Sequence, residues 1–175
     1  MRFPKQKLSK RNLLKIFKRV RLAVFDFDGV FTDNRVLVME DGSEGVFCSR
    51  SDGIGIYLLK QTGIPVRVIS TEENPVVRAR CRKLDIPCVS GCWDKIRVLK
   101  KEMKKLKIHP EQVVYVGNDM NDRDCLKEVG VPVCVADAYP EILPYAVYVT
   151  HKKGGQGAVR EICDLLLEAK HAKLS

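Results

Sequence analysis

The stretch FDFDGVFTD, residues 25–33, places Asp26, Asp28 and Asp33 straight after the apolar run Leu22-Ala23-Val24. Turns favour Asp, so an acid pair at a strand end is by itself an ordinary strand-to-loop junction. Three other polar groups follow apolar runs: Ser70-Thr71 and Asn118-Asp119 with Asp122 after one each, and Lys95 shortly after another. Brought to one edge, these residue types can do chemistry. Carboxylates from two strand ends, with carbonyls and water, form an oxygen cage suited to Mg²⁺, a hard ion that takes octahedral oxygen ligands. The cation would cancel the repulsion between the acids. A carboxylate in such a site can attack a phosphate ester and form an aspartyl-phosphate, while Mg²⁺ and a lysine stabilise the phosphoryl oxygens in transit.

The elements that must position these groups follow from the apolar pattern. Residues 22–27 read as a buried strand. Residues 36–39 and 46–48 flank the polar turn 40–45 and read as a β-hairpin with a longer loop. A helix is expected over 52–61, capped by Ser51 or Asp52 and closed by Gly63. Further strands are expected at 66–69, 87–89, 113–116, 131–135 and 146–149. Further helices are expected over 75–84, with Pro75 suited to the first position, and over 94–107, 121–129 and 158–170. Strands alternating with helices of this length imply an α/β, Rossmann-like, mostly parallel sheet with helices on both faces. Ligands of such sheets lie at the carboxyl ends of the strands, which is where all four polar groups fall.

With 175 residues and 45% hydrophobic content, the chain suits one domain with one sizeable core. The formal net charge of +9 is unevenly placed. Residues 1–21 carry nine Lys or Arg and no acid, leaving 22 basic against 22 acidic residues in 22–175. We therefore divide the chain into a basic N-terminal extension, 1–20, and a catalytic domain, 21–175. Leu13, Leu14, Phe17 and Val20 are spaced as on a basic amphipathic helix. Such a helix docks on the body with its charges in water, or else contacts nucleic acid or an anionic membrane. There is no signal-peptide core and no run approaching the ~20 apolar residues of a membrane span, so a cytoplasmic protein is expected. Seven scattered cysteines without a C-x-x-C pair disfavour disulfides and zinc.

Asp26-Phe27-Asp28-Gly29-Val30, Ser70-Thr71, Lys95 and Gly117-Asn118-Asp119-x-x-Asp122 resemble the four motifs of the haloacid dehalogenase superfamily of phosphotransferases. The resemblance implies that Asp26 is the nucleophile and that Asp28 protonates the leaving alcohol and later activates water. It also implies that Ser70 and Lys95 hold the phosphoryl group, and that Asp26, Asp28, Asn118, Asp119 and Asp122 make the Mg²⁺ site. The FTD extension, a hairpin flap in place of a cap domain, Arg50-Ser51-Asp52-Gly53-x-Gly55-Ile56, and Gly154-Gly155-x-Gly157-Ala158-Val159-Arg160-Glu161 look like the KDO 8-phosphate phosphatase family over nearly all of 21–170. Within it, residues 70–77 and the GND form of motif four are most similar to KDN 9-phosphate phosphatases and to the phosphatase-like modules of CMP-sialic acid synthetases. This implies an acidic sugar phosphate as substrate and a homotetramer in which neighbouring hairpins close each site. Substrate contacts are implied for Thr32, Asp33, Arg50, Thr71, Glu72, Arg80, Lys83, Gly154 and Gly155; Arg can grip a carboxylate by two hydrogen bonds.

Asn118 departs from the pattern, because many active members carry an acid there. An Asn oxygen coordinates Mg²⁺ with one less negative charge, and Asp119 is the other candidate ligand. A catalytically weak oligomerisation module is therefore the rival reading. A receiver domain also uses Asp, Ser or Thr, and Lys on an α/β sheet, but its acceptor and its acidic pair follow separate strands, whereas Asp26 and Asp28 share one.

Overall fold

The computed structural model describes residues 8–172, so Arg2, Lys5 and Lys7 of the basic extension lie outside the described residues. Eight strands, β1 (Leu22–Phe25), β2 (Leu37–Val38), β3 (Glu44–Gly45), β4 (Val66–Ile69), β5 (Cys88–Val89), β6 (Val113–Gly117), β7 (Val131–Cys134) and β8 (Tyr148–Val149), alternate with six helices. These are α1 (Lys10–Phe17), α2 (Arg50–Lys60), α3 (Pro75–Leu84), α4 (Lys95–Leu106), α5 (Arg123–Glu128) and α6 (Ala158–His171). Six strands form one parallel sheet in the order β5-β4-β1-β6-β7-β8. Every residue of β1, β6 and β7 is buried, as both faces of a helix-covered parallel sheet must be. α6 packs against both α1 and α2, and α4 packs on α5. This is the expected α/β architecture.

β1 is paired by β4 on one side and by β6 on the other, so the chain order reverses beside it. Such a switch point opens a crevice at the carboxyl ends of the strands, and there β1 delivers Asp26 and β6 delivers Asn118.

The apolar side of α1 docks into the core: Leu13, Leu14 and Phe17 are buried, Phe17 packs edge-on to Tyr148, and Lys18 Nζ donates to the Ala172 carbonyl. Burying a side chain such as Phe17 contributes roughly 1.5–3 kcal/mol, while Lys10, Arg11 and Lys15 stay exposed. No helix of the described residues is long and apolar enough to cross a membrane. Among the described residues all seven cysteines are free, four of them buried.

Several boundaries differ from expectation for identifiable reasons. The hairpin pairs Leu37 with Gly45 and Val38 with Glu44, earlier than the expected 46–48. The turn is tighter than its polar length suggested, because Asp41 Oδ1 accepts from both N–H and hydroxyl of Ser43, and Gly42 takes a positive φ of 78°. α2 starts at Arg50 with Ser49 as its cap, because the Asp52 carboxylate is engaged by another helix. The region 121–129 splits into a 3-10 turn, Met120–Asp122, and the short α5, since Asp122 turns inward to bind its own loop. β8 is reduced to Tyr148–Val149 behind the Pro144 turn.

Candidate active site

After β1 the chain still pairs through Asp26 N–H to the Val116 carbonyl, then winds into a turn in which the Phe27 carbonyl accepts from the N–H groups of Val30, Phe31 and Thr32. Alternation along the chain sends Phe27 into the core and leaves Asp26 and Asp28 on the cleft side. Phe27 stacks on Phe31, which meets Phe25 edge-on, so an aromatic ledge supports the turn. Gly29 sits at φ 76°, and a Cβ there would lie 2.0 Å from Asn118 Nδ2. Glycine is what lets motif four approach motif one.

Asp26 divides its two oxygens. Oδ1 accepts from Phe27 N–H at 2.7 Å and lies 2.8 Å from Lys95 Nζ. Lys95, 1% exposed at the first position of α4, is also 2.8 Å from Asp122 Oδ1. Asp122 is fully buried: Oδ1 further accepts from the Tyr115 hydroxyl at 2.7 Å, and Oδ2 accepts from Asn118 N–H at 2.9 Å. Burial and the charge of Asp122 push the Asp26 carboxyl up to about 8, with Lys95 pulling the other way. Burial alone would lower Lys95, but the two carboxylates outweigh it and its pKa is raised. It is a fixed cation.

The second oxygen of Asp26 faces the Asn118 side chain. The side-chain amide of Asn118 lies 2.9 Å from the Asp28 carbonyl oxygen and 3.2 Å from Asp26 Oδ2. With its nitrogen turned there the amide would donate to both; with its oxygen there, three acceptors converge, an arrangement that a cation reconciles. Octahedral Mg²⁺ at ~2.0–2.1 Å holds neighbouring ligand oxygens about 2.9 Å apart, which matches these separations. Asp26 Oδ2, the Asp28 carbonyl and, with its oxygen turned there, the Asn118 amide are the groups that would hold a hard divalent ion. Asp119 stands beside them, half-buried, its Oδ1 accepting from Met120 N–H.

Asp28 is held from behind. Thr32, expected to touch substrate, is 0% exposed; its hydroxyl donates to Asp28 Oδ1 at 3.2 Å and accepts from the N–H groups of Gly29 and Asn34. Burial raises the Asp28 carboxyl, the Thr32 bond offsets part of this, and the charge of Glu72 adds to it. An acid whose neutral form is favoured in this way is suited to giving up a proton. Ser70, buried at the end of β4, accepts Glu72 N–H through Oγ at 3.0 Å, which leaves its own proton to donate. Thr71 Oγ1 accepts from Asn121 Nδ2, tying motif two to motif four.

Asp26, Asp28, Thr71, Glu72, Asn118 and Asp119 line one cleft of about 280 Å³, whose other wall is the hairpin: Asn34, Arg35, Val36, Glu44 and Val46. Glu44 Oε2 accepts from Asn74 Nδ2, which latches the hairpin to the cap of α3. A smaller hollow of about 190 Å³ beside β5, lined by Arg67 and Glu102 among others, holds none of these groups.

Other expected site residues stand elsewhere in the subunit. Asp122, expected among the metal ligands, has both oxygens engaged by Lys95, Tyr115 and motif-four N–H groups, and so anchors the lysine. Asp33 is half-buried at the hairpin's start, its Oδ2 bound by Arg35. Arg50 is exposed at the start of α2, Arg80 donates to the Ser49 carbonyl, and Lys83 is exposed near the end of α3. Gly154 and Gly155 do not line the cleft. They press on the back of the motif-one loop, where a Cβ on Gly154 would lie 2.0 Å from the Gly29 carbonyl oxygen. Sequence reasoning missed Tyr115, whose one signal is a hydroxyl inside the otherwise aliphatic run of β6.

Comparison with known proteins bears on this geometry directly. Residues 83–162 match the family of haloacid dehalogenase-like hydrolases. Over 154 residues the chain is 40% identical to the 3-deoxy-D-manno-octulosonate 8-phosphate phosphatase of Salmonella typhi, covering 87% of this chain and 82% of that protein. The chain belongs to the 3-deoxy-D-manno-octulosonate 8-phosphate phosphatase family. It is a phosphoric monoester hydrolase of the haloacid dehalogenase type. A crystal structure of a probable phosphatase of the same group from Pseudomonas syringae superposes on this phosphatase with a TM-score of 0.89 at 38% identity, covering 93% of each chain. The Moraxella catarrhalis enzyme, solved with magnesium, phosphate and KDO, has a TM-score of 0.87 at 31% identity, covering 90% of this chain and 91% of its own.

Proposed function

We propose that this phosphatase removes the terminal phosphate of an acidic 3-deoxy-ulosonate sugar, of the KDO 8-phosphate, KDN 9-phosphate or N-acetylneuraminate 9-phosphate type. The observation that carries the reading is the convergence of Asp26 Oδ2, the Asp28 carbonyl and Asn118 beside a buried Lys95, under a hairpin flap. Asp26 attacks phosphorus, the ester P–O bond breaks, and Asp28 gives its proton to the departing sugar alkoxide. Asp28 then takes a proton from water as that water attacks the aspartyl-phosphate, which frees inorganic phosphate and restores Asp26. Ser70 donates to a phosphoryl oxygen, and Lys95 neutralises charge developing there. Mg²⁺, when bound, withdraws charge from the phosphoryl group and relieves the repulsion between Asp26 and Asp28. Asp122 and Tyr115 hold Lys95 in line, and Thr32 holds Asp28.

Exposed apolar side chains support a homotetramer. Val36, Leu37, Val38 and Met39 of the hairpin are 52–60% exposed, and Phe47 is 71% exposed. Water-facing apolar strands of this kind mark an association surface. A neighbouring subunit over the hairpin would close the cleft and offers a place for Arg50, Arg80 and Lys83 to meet substrate.

The test is phosphate release from the three sugar phosphates with Mg²⁺ and with EDTA. Release in Mg²⁺ alone, abolished by Asp26→Asn in a folded protein, is the expected result. No release from any of the three by folded protein would favour the second reading, an oligomerisation module weakened by the missing charge at Asn118.

A further inference from the structure

Asp52 is a charged side chain with no exposure at all, and no step above uses it. It stands in the first turn of α2, yet serves a different helix. The cap position of α6 is Gly157, which has φ 99° and no side chain to bind the free N–H groups there. Asp52 Oδ1 accepts from Arg160 N–H, three residues into α6, at 3.0 Å. The carboxylate therefore performs, across two helices, the task a Ser, Thr or Asp at the cap itself would perform. The helices are close enough for this because Gly55 packs against Arg160, where a Cβ would lie 2.9 Å from Arg160 Cδ.

The capped end of α6 is the support of the active-site loop. The turn that leads into it carries Gly154 and Gly155, pressed against the Gly29 and Thr32 carbonyls, and Gly155 N–H donates to the Val30 carbonyl at 3.1 Å. Val30 lies between the proton-transferring Asp28 and its partner Thr32. Asp52 uses one carboxylate oxygen for this cap. Its second oxygen has no protein partner among the described residues, and neither has the buried Nε of Arg80, whose guanidinium already reaches the Ser49 carbonyl at the start of α2.

We propose that Asp52 is a positioning residue for the reaction. By capping α6 from the neighbouring helix it locks the 154–157 turn beneath the motif-one loop. It fixes Asp28 without touching substrate. The inference rests on the phosphatase reading above.

Asp52→Ala and Asp52→Asn, made in the full chain and assayed in Mg²⁺ with the sugar phosphate the wild type hydrolyses, test it. Displacing a catalytic loop by about 1 Å costs on the order of a hundredfold. For Asp52→Ala we expect kcat to fall at least about tenfold with KM within about twofold, at a temperature where circular dichroism shows folded protein. The Gly155 amide should exchange hydrogen at least about tenfold faster while core amides of β1 and β6 keep their protection. Asp52→Asn, which retains an acceptor for Arg160 N–H, should recover most of the lost kcat. If Asp52→Ala does not fold, Asp52→Ser is read by the same two criteria. Unchanged kcat in a folded variant, or unchanged Gly155 exchange, overturns the proposal. If wild type hydrolyses none of the sugar phosphates, the phosphatase reading fails, and the exchange measurement alone still decides whether Asp52 holds the turn.

Discussion

Lys95 Nζ and Asp26 Oδ1 lie 2.8 Å apart with 1% and 5% of their side chains exposed, so the cation that would neutralise the phosphoryl group is already paired, in the dry interior, with the carboxylate that would attack it. Buried charges persist only where each has a partner. Here the partner supply is circular: Lys95 serves Asp26 and Asp122, and Asp122 serves Lys95, Tyr115 and the motif-four backbone. Replacing Lys95 by Met would leave two carboxylates facing each other without water. The expected result is a loss of about 3–5 kcal/mol in urea unfolding, together with a fall in kcat of about a hundredfold or more under conditions where the variant is folded.

The same circle sets a pH dependence. Asp26 is pushed up to about 8 from an ordinary 3.8, Asp52 up to about 6 by burial, and Asp28 is raised as well. Across that window the folded protein binds more protons than the unfolded chain, so stability falls as pH rises from about 4 to about 8. Lys95 is raised above 10.5, so its contribution is constant over this range and does not oppose the trend. Thermal melts in EDTA should therefore decline in midpoint between about pH 5 and about pH 8. Saturating Mg²⁺ should remove much of the slope, and Asp26→Asn in EDTA should flatten it. A midpoint that rises over this interval in EDTA would contradict the assigned burial of these acids.

The plan of the fold was legible because each apolar run and each cap signal acts locally. Asn74 and Pro75 open α3, Asp94 caps α4, and the strand runs lie where hydrophobicity alternates with turns. Asp26, Asp28, Ser70, Lys95 and Asn118 were legible for a second reason: in a parallel sheet, whatever follows a strand lands on one edge. The roles of Thr32, Asp52, Tyr115 and Asp122 were not legible. Each is decided by what packs on it from a distant part of the chain, as when a helix-start Asp is taken up by α6 108 residues later. Gly154 and Gly155, expected to contact substrate, pack on the motif-one backbone at a distance that only a missing Cβ allows.

That close approach can be tested. Gly154→Ala places a methyl carbon 2.0 Å from the Gly29 carbonyl oxygen and 2.8 Å from that of Thr32, both backbone atoms that cannot swing aside. The motif-one loop must shift. We expect a loss of about 2–3 kcal/mol, typical of severe overpacking, with kcat reduced more than KM is raised. Gly42→Ala, at a hairpin tip where nothing lies within 4 Å of the added carbon, controls for glycine loss in general. Its φ of 78° should cost about 1 kcal/mol and little activity.

The hairpin gives an association test. Leu37 and Val38 are 56% and 60% exposed and pair only with the short β3. Leu37→Asp and Val38→Asp add charge where apolar contact is proposed, yet remove nothing from the monomer's core. Sedimentation velocity should show a shift from tetramer to smaller species, with kcat/KM lower because the cleft loses its outer wall, and with an unchanged melting transition of the monomer. A wild-type chain that sediments as a monomer at the assay concentration would refute the assembly.

In the proposed cation site, Asn118 would set how tightly the ion is held. Of the three proposed ligand groups only Asp26 Oδ2 carries charge, since the Asp28 carbonyl and the Asn118 amide are neutral. Affinity for a hard cation rises with the number of charged ligands. Asn118→Asp should therefore lower the Mg²⁺ concentration for half-maximal activity by about tenfold, about 1.4 kcal/mol of binding free energy. In EDTA the same change sets a second carboxylate about 3 Å from Asp26, so the variant should melt lower than wild type without Mg²⁺ and higher with it. Opposite shifts in the two conditions are the signature of a ligand, because a residue that only packs would move both melts the same way. If the amide nitrogen rather than its oxygen faces Asp26, Asn118 is a hydrogen-bond donor to that carboxylate. Asn118→Asp would then destabilise the protein in both conditions and weaken Mg²⁺ binding, which would transfer the motif-four ligand to Asp119.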